Sequence, residues 1–375
     1  MTNSKLVPRR RFKEFELDGD WEFSRFGEAV VRVSESMKNS SFPNVEYEDV
    51  IPGRGKLNKN IFEKTNNKKG IRFLEGDVLY GKLRPYLKNW LLSDFKGIAV
   101  GDWWVLRSSG LDSKFLYNFI QTEKYQVVAN RSTGTKMPRS DWETVKDSDI
   151  FFPSNFEQKQ IGNFFQTIDS LITLHQHKLD KLINLKMAYL SEMFPAEGER
   201  VPKRRFPGFE GEWEQKKLGE ILETVSFKEF MKEPQSSGDF EVIQQGHDSI
   251  IGFADGTPCN DFEDVVIFGD HTLSLYKPKN PFFVATDGVR ILKGKNSMNG
   301  YYLYVLLDRF KPKSEGYKRY FGILTNVELS ITYNIAEQEK IALLFQQIDK
   351  SIELQQQKLD KLNDLKKAYL NELFV

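Results

Sequence analysis

Apolar residues recur every three or four positions along two long stretches of this chain, residues 158–194 and 338–374. This period predicts two amphipathic helices, each with a heptad seam. Because both seams have the same pattern, we expect the helices to pack on each other as an antiparallel coiled coil. The seam residues are Ile161, Phe165, Ile168, Ile172, Leu179, Leu182 and Tyr189 in the first helix, and Ile341, Phe345, Ile348, Ile352, Leu359, Leu362 and Tyr369 in the second.

The sequence also indicates how these helices begin and how long they are. Ser154 and Asn334 each precede a glutamate by three residues, the capping-box pattern that satisfies free amide groups at a helix start. About 37 residues at ~1.5 Å each predict rods roughly 55 Å long. Such rods suit a spacer between two binding modules. Periodicity alone leaves open that they only join two domains or dimerise the protein. Lys186 and Lys366 interrupt the seams and can fix the register.

The two helical stretches are copies of one another. They align at an offset of about 180 residues, with about 21 of 37 positions identical. A second repeat lies upstream of each copy, since the segment Val7–Trp21 returns as Val201–Trp213. The chain therefore consists of two tandem halves that begin and end alike and differ in between.

The divergent part of each half predicts a compact α+β module. Short runs rich in β-branched and aromatic residues indicate strands, and a longer apolar stretch after them indicates a helix. The predicted strands are 77–88, 97–100, 103–106, 264–272, 281–285 and 289–292, and the predicted helices are 113–128 and 298–310. The fold class is therefore α+β, in which two modules alternate with two long helices as a pseudo-twofold internal repeat.

The repeats also predict the domain boundaries. Each module is followed by its long helix, and a short linker separates the two halves. The predicted segments are a first module at 1–153, a central helix at 154–195, a linker at 196–206, a second module at 207–333 and a C-terminal helix at 334–375.

Composition narrows the classes of function. A chain of 375 residues is long enough for two domains with their own cores, and a single cysteine excludes an internal disulfide framework. Four histidines without a Cys/His cluster give no zinc-site pattern, so we expect no metal. A net charge of +1 restricts any polyanion site to a local basic face. No apolar run approaches the roughly 20 residues of a membrane span and no signal-peptide core is present, so we expect a cytoplasmic protein.

Candidate DNA-contacting residues lie in both modules. In the first, basic and aromatic side chains alternate along residues 80–88, and a glycine-containing loop at 131–139 adds hydroxyl groups and cations. Such groups suit contacts to phosphates and base edges, although composition alone is also compatible with solvated faces and ordinary turns. The candidates are Tyr80, Lys82, Arg84, Tyr86, Lys88, Thr133, Thr135, Lys136, Arg139, His271, Thr272, Lys318, Arg319 and Tyr320.

No constellation of residues predicts catalysis. Asn280–Phe283 is similar to the Asn-Pro-Pro-Tyr/Phe element of adenine methyltransferases, but its second proline and a Phe-x-Gly-x-Gly cofactor loop are missing. Residues 53–57 lack the spacing of a phosphate-binding loop and predict a turn. Residues 157–159 have the Glu-x-Lys form of a nuclease centre, yet they lie at a helix start without an upstream Pro-Asp. We therefore expect no catalytic residues in this chain.

This combination of features resembles the specificity subunit of type I restriction-modification systems over essentially the whole chain. The resembling residues are the two upstream repeats, the run Gly76–Leu87 and the two Gln-x-x-Ile…Lys-Leu-Asp-Lys-Leu helices. The resemblance implies that each module is a target recognition domain reading one half-site of an asymmetric, bipartite DNA sequence, and that the helices set the gap. It also implies two methyltransferase and two restriction (motor-nuclease) subunits as partners, which bind S-adenosylmethionine, ATP and Mg²⁺, with no cofactor bound by this chain.

The sequence leaves two alternatives to a DNA-reading subunit. One is a coiled-coil adaptor without a nucleic-acid role, and the other is a single-chain restriction or methylation enzyme. The missing cofactor loops argue against the enzyme. An assembled complex without sequence-specific DNA binding would favour the adaptor.

Overall fold

A computed structural model describes residues 6–39, 41–63, 68–131 and 136–375. Contacts between residues group the chain into two compact units. Unit 1 contains the chain up to His175 together with Lys358–Val375, and unit 2 contains Gln176–Gln357. The predicted domains are continuous segments, whereas unit 1 is built from two separate parts of the chain. Both boundaries between the units fall inside a long helix.

Unit 1 is an α+β module joined to parts of two long helices. Its strands are β1 (Glu22–Arg25), β2 (Val30–Val33), β3 (Ser36–Met37), β4 (Asn44–Val45), β5 (Val50–Ile51), β6 (Lys56–Leu57), β7 (Gly70–Phe73), β8 (Val78–Gly81), β9 (Trp90–Leu92), β10 (Gly97–Ala99), β11 (Trp103–Ser108) and β12 (Asp149–Phe152). Its helices are α1 (Phe26–Ala29), α2 (Ser113–Phe119), α3 (Glu123–Ala129), α4 (Trp142–Lys146) and the first part of α5 (Asn155–Glu192). The larger sheets have the strand orders β2-β11-β8-β9 and β3-β7-β10-β4.

Unit 2 repeats this plan. Its strands are β13 (Glu214–Lys217), β14 (Leu222–Val225), β15 (Phe240–Ile243), β16 (Ile250–Ala254), β17 (Val265–Gly269), β18 (Leu275–Tyr276), β19 (Phe282–Val284), β20 (Val289–Gly294) and β21 (Glu328–Ile331). Its helices are the last part of α5, α6 (Leu218–Ile221), α7 (Gly300–Phe310), α8 (Phe321–Thr325) and the first part of α9 (Ile335–Glu372). The sheet β14-β20-β17-β18 corresponds to β2-β11-β8-β9, and in the sheet β16-β15-β19 the parallel pair β15–β19 corresponds to β4–β10.

Strand register makes the two modules comparable residue by residue. In unit 1 Trp103 of β11 pairs with Gly81 of β8, and in unit 2 Val289 of β20 pairs with Gly269 of β17. Gly81 and Gly269 are therefore equivalent positions at the ends of equivalent strands. The mixed α+β content and the repeat confirm the fold class predicted from the sequence.

The long helices pack antiparallel within each unit, as predicted. In unit 1, Phe164 contacts Tyr369 with ring centroids 4.9 Å apart, and Asp169 pairs with Lys366 at 2.8 Å. Residue numbers rise along α5 while those of the contacting residues in α9 fall, so the two helices run antiparallel. In unit 2, Asp349 of α9 forms the equivalent ion pair with Lys186 of α5, also at 2.8 Å. The buried seam residues are Ile161, Phe165, Ile168, Ile172, Leu179, Ile341, Phe345, Ile348 and Leu359, and the partly buried ones are Leu182, Tyr189, Ile352, Leu362 and Tyr369.

Only half of each predicted capping box forms. Ser154 Oγ accepts a hydrogen bond from the Glu157 amide at 3.4 Å, and Asn334 Oδ1 accepts one from the Glu337 amide at 3.2 Å. The two buried carboxylates do not return a bond to the cap residue. Each instead binds an arginine of the upstream repeat, Arg11 at 2.7 Å and Arg205 at 2.7 Å. Ion pairing with arginine therefore replaces the reciprocal half of the box.

Three local predictions need correction or refinement. The strand predicted at 77–88 ends at Gly81, and a 3-10 turn at Pro85–Leu87 follows. The helix predicted at 113–128 is divided into α2 and α3, because Thr122 caps a new helix by accepting from the Tyr125 amide. The turn predicted at 53–57 joins β5 to β6 as a hairpin.

Candidate nucleic-acid interface

In unit 1 the chain leaves β8 in a strained turn that exposes several candidates. Arg84 and Lys88 have φ values of 49° and 57°, in the left-handed region, and they flank Pro85–Leu87. Such conformations cost on the order of 1–3 kcal/mol for non-glycine residues and concentrate at functional sites. The turn leaves Tyr86 55% exposed and Lys88 exposed beside it. An aromatic ring and a cation are thereby available to a ligand.

A second segment lies against this turn and adds further cations. The Arg84 amide donates to the Pro138 carbonyl at 2.8 Å, and the Ser140 amide donates to the Lys82 carbonyl at 2.9 Å. The structure thus brings Arg139, and Lys136 two residues before Pro138, next to the β8 turn. Both of these side chains are exposed.

Asp102 holds two of these cations in place. Its carboxylate lies 3.6 Å from Lys82 Nζ and 3.3 Å from Arg139. One carboxylate balances only one of the two charges, so this cluster keeps a net positive charge and suits an anionic partner. Asp102 was not predicted, since an acidic residue before a strand gives no signal for DNA contact.

Two candidates are core residues, and two lie outside the described residues. Tyr80 is 1% exposed and stacks on Trp104 with ring centroids 5.9 Å apart, and its burial raises the pKa of the phenol to about 12. Tyr320 is fully buried, and its hydroxyl donates to the Gly316 carbonyl at 2.7 Å. Burial excludes both tyrosines from direct contact with DNA in this conformation. Thr133 and Thr135 fall outside the described residues.

In unit 2 the corresponding loops are the one after β17 and the one between α7 and α8, and together they present an aromatic stack. The His271 ring lies parallel to the Tyr317 ring, with centroids 4.8 Å apart and an interplanar angle of 6°. Tyr317 is 88% exposed. Thr272 is exposed beside them and shares a hydrogen bond of 2.8 Å with Ser274. Tyr317 lies directly before the candidates Lys318, Arg319 and Tyr320 but was not itself selected, although an exposed aromatic ring is suited to stacking on a base.

Buried Asp270 ties the two loops of unit 2 together. Its carboxylate accepts from the Phe321 amide at 2.8 Å and lies 3.3 Å from Arg290, and its carbonyl accepts from the Tyr320 amide at 2.8 Å. Among the predicted cations on the second loop, Lys318 is paired with Glu315 and Arg319 is exposed.

The two units place different chemistry on the same backbone frame. Lys82 and Asp270 are equivalent, because each follows the glycine that ends its strand and each accepts an amide hydrogen bond from the second loop. By the same register Arg139 corresponds to Arg319. Unit 1 therefore presents a cation cluster around the partly exposed Asp102 carboxylate, whereas unit 2 presents a histidine–tyrosine stack next in the chain to buried Asp270.

The residues that look like methyltransferase or nuclease motifs in the sequence lie in the core or in an ion pair. Phe282 and Phe283 are fully buried in β19, and Glu157 is paired with Arg11. Within the ranges that the structure describes, no group of three or more His, Cys, Asp or Glu side chains is arranged to hold a metal ion. In those same ranges no helix has the length and apolar character needed to cross a membrane.

Comparison with known proteins identifies similar chains. A family model described as the type I restriction modification DNA specificity domain matches residues 19–184 and again residues 210–364. The chain is 21% identical over 201 residues to the EcoDI type I restriction enzyme specificity subunit of Escherichia coli, a match covering 50% of this chain and 45% of that protein. The match thus spans about half the length of that relative.

Two solved structures share the fold. The S subunit of a type I restriction-modification system from M. genitalium has a TM-score of 0.67 at 17% identity, covering 98% of this chain and 99% of that one. A chain from a structure on complex assembly and conformational transition of the type I R-M system has a TM-score of 0.52 at 19% identity, covering 94% and 97%.

Proposed function

This chain belongs to the type I restriction-modification DNA specificity family, and from that premise we propose that it is the sequence-specific DNA-binding subunit of such a system. Each unit reads one half of an asymmetric, bipartite DNA sequence through the pair of loops described above. The chain itself is non-catalytic. Its long helices separate the two half-sites by a fixed gap.

The observation that carries this proposal is the shared loop frame with different side chains. Equivalent backbone hydrogen bonds hold the loops in both units. These loops carry Lys82, Arg84 and Arg139 in unit 1, and His271 and Arg319 in unit 2. Arginine and lysine bind phosphates and guanine edges, and exposed rings contact bases. Two such surfaces that differ from each other suit a target whose two halves differ.

We propose double-stranded DNA, two methyltransferase subunits and two restriction (motor-nuclease) subunits as the partners. In this assignment S-adenosylmethionine, ATP and Mg²⁺ are bound by the partner subunits. A structural relative comes from work on assembly of the type I R-M system, which supports association with other subunits. The chain's contribution to the reaction is to bind and orient the DNA for them.

The test is to co-express this chain with its methyltransferase subunit in a methylation-free host and map N6-methyladenine across the genome. We expect a gapped, asymmetric motif that is absent when the methyltransferase is expressed without this chain. An assembled complex without any chain-dependent motif would contradict DNA reading and favour a coiled-coil adaptor. Methylation by this chain alone would favour a single-chain enzyme.

A further inference from the structure

In unit 1 a tyrosine from a distant segment holds the start of the β8 turn. Tyr47 follows β4, and its hydroxyl accepts a hydrogen bond from the Leu83 amide at 3.1 Å. The same hydroxyl donates to the Asp102 carbonyl at 2.6 Å, and that carbonyl also accepts from the Lys82 amide at 3.0 Å. Burial raises the pKa of Tyr47, so the hydroxyl keeps the proton that it donates. One side chain thus joins both strands at the point where the loop begins.

In unit 2 a glutamine has the same partner at the equivalent place. Gln245 follows β15, and its Oε1 accepts from the His271 amide at 3.0 Å. The adjacent Asp270 amide donates to the Gly288 carbonyl at 2.9 Å, as the Lys82 amide does to Asp102 in unit 1. Leu83 and His271 are equivalent, since each lies two residues beyond the glycine that ends its strand.

Strand pairing makes Tyr47 and Gln245 equivalent as well. β4 runs parallel to β10 and β15 runs parallel to β19. The Val45 carbonyl accepts a hydrogen bond from the Val100 amide, and the Ile243 carbonyl accepts one from the Ala285 amide, both at 2.9 Å. Two positions after the accepting residue lies Tyr47 in unit 1 and Gln245 in unit 2. Two different residue types therefore perform one task at one position of the fold.

The end of each strand leaves room for this side chain. A Cβ atom at Gly81 would lie 3.1 Å from the Tyr47 hydroxyl and 2.9 Å from the Asn89 Cβ atom. At Gly269 an added Cβ would lie 2.8 Å from the Gln245 Cβ atom. Beyond these glycines the Leu83 and His271 amides have left the strand ladder, and a backbone amide removed from water needs an acceptor. Tyr47 and Gln245 supply that acceptor.

We propose that Tyr47 and Gln245 are equivalent positioning residues. They fix the start of the loop that follows β8 in unit 1 and β17 in unit 2, and so determine how Lys82 and Arg84, or His271, meet the DNA. This inference rests on the proposed function. Neither side chain needs to contact a base. Each acts through the loop of its own unit, so each controls one half-site and leaves the other unchanged.

Tyr47→Phe tests the first position with a minimal change. It removes the hydroxyl and keeps the ring that packs edge-on against Trp103 with centroids 4.6 Å apart. In the full chain we expect amide hydrogen exchange at Leu83 to accelerate about tenfold, because one hydrogen bond protects it. In the methylation map of the co-expressed complex, we expect one half of the motif to become degenerate and the other half to stay intact.

Gln245→Met and Gln245→Glu form the matched pair in unit 2. Methionine removes the acceptor at similar size, so the His271 amide should exchange about tenfold faster and the other half of the motif should become degenerate. Glutamate keeps an Oε1 acceptor and should restore the protection of the His271 amide. The two units thereby serve as controls for each other.

The outcomes separate this inference from the function on which it rests. Unchanged exchange at Leu83 and His271, or an intact motif despite faster exchange, would overturn the positioning role. Loss of both half-sites in either variant would also overturn it, because that result indicates general destabilisation. A wild-type complex without any chain-dependent motif would instead contradict the proposed function, while amide exchange would still measure the two hydrogen bonds.

Discussion

At the scale of single residues, burial separates side chains that look alike in the sequence. Tyr80 and Tyr86 both belong to the alternating basic and aromatic run, but Tyr80 is 1% exposed and Tyr86 is 55% exposed. The difference arises because β8 ends at Gly81 and the backbone at Arg84 turns into the left-handed region. The alternation of a strand therefore ends at Gly81, and the Tyr80 ring before this glycine belongs to the core.

The cations of the β8 turn and of the segment packed against it give the most direct prediction at this scale. Arg84→Ala and Lys136→Ala should each weaken DNA binding. If the residue contacts a phosphate, the slope of log K against log salt should fall by about one; if it contacts a base, one half-site should relax at a cost of roughly 1–3 kcal/mol. Fluorescence anisotropy over a salt series distinguishes the two cases. Arg319→Ala, the equivalent change in unit 2, should affect the other half-site only, and unchanged affinity and motif in the two unit 1 variants would refute their assignment.

Buried ion pairs at the helix starts give a prediction about stability. Arg11→Met leaves the Glu157 carboxylate, 1% exposed, without its partner at 2.7 Å. Removing one member of a buried pair costs about 3–5 kcal/mol of unfolding free energy. The control is Arg10→Met, since the Arg10–Glu372 pair is 55% and 35% exposed and such pairs contribute about 0–1 kcal/mol. Urea denaturation measures both, and similar small losses in the two variants would contradict the argument.

At the scale of elements, the heptad pattern predicted the helices and their mutual packing. Lysines in both seams fix the register, because Lys186 and Lys366 form equivalent ion pairs with Asp349 and Asp169 at 2.8 Å. The pattern did not predict the role of Glu157, since its partner Arg11 lies 146 residues away in the chain.

A heptad insertion tests the spacer role of these helices. Seven residues inserted between Leu182 and Leu185, with seven more after Ile352 in the facing helix, should keep both seams in phase. The added length of about 10 Å should lengthen the gap by about three base pairs and leave both half-sites unchanged. Methylation mapping reads the gap directly, and an insertion in α5 alone serves as the mismatched control. A changed half-site, or an unchanged gap, would exclude the spacer role.

At the scale of the whole molecule, each unit combines segments from both halves of the sequence. In unit 1 Trp21 contacts Phe374, with ring centroids 6.5 Å apart, and the Arg10 amide donates to Glu372 at 3.0 Å. In unit 2 the equivalent Trp213 contacts Phe194 at 5.9 Å, and the Arg204 amide donates to Glu192 at 2.8 Å. The upstream repeat of each half therefore packs against the end of the other half's helix.

This arrangement predicts that a module can be exchanged as a whole. Replacing residues 22–150 with the corresponding module of another family member retains Arg11, Trp21 and Glu157, whose contacts hold the upstream repeat against the two long helices. We expect the methylation motif to change in one half-site and to keep its other half and its gap. A motif altered in both halves would indicate that the two units do not read DNA independently.

The sequence by itself determined the two helices, their seams, the internal repeat and the α+β modules, because periodicity and copied segments are local properties of a chain. It also located the candidate loops. Only the tertiary structure decided which loop residues are exposed and what holds them, since Tyr47 and Leu83 are 36 residues apart and Gln245 and His271 are 26 apart. Contacts of this kind depend on strand register between distant segments, and no pattern within either segment encodes the partner.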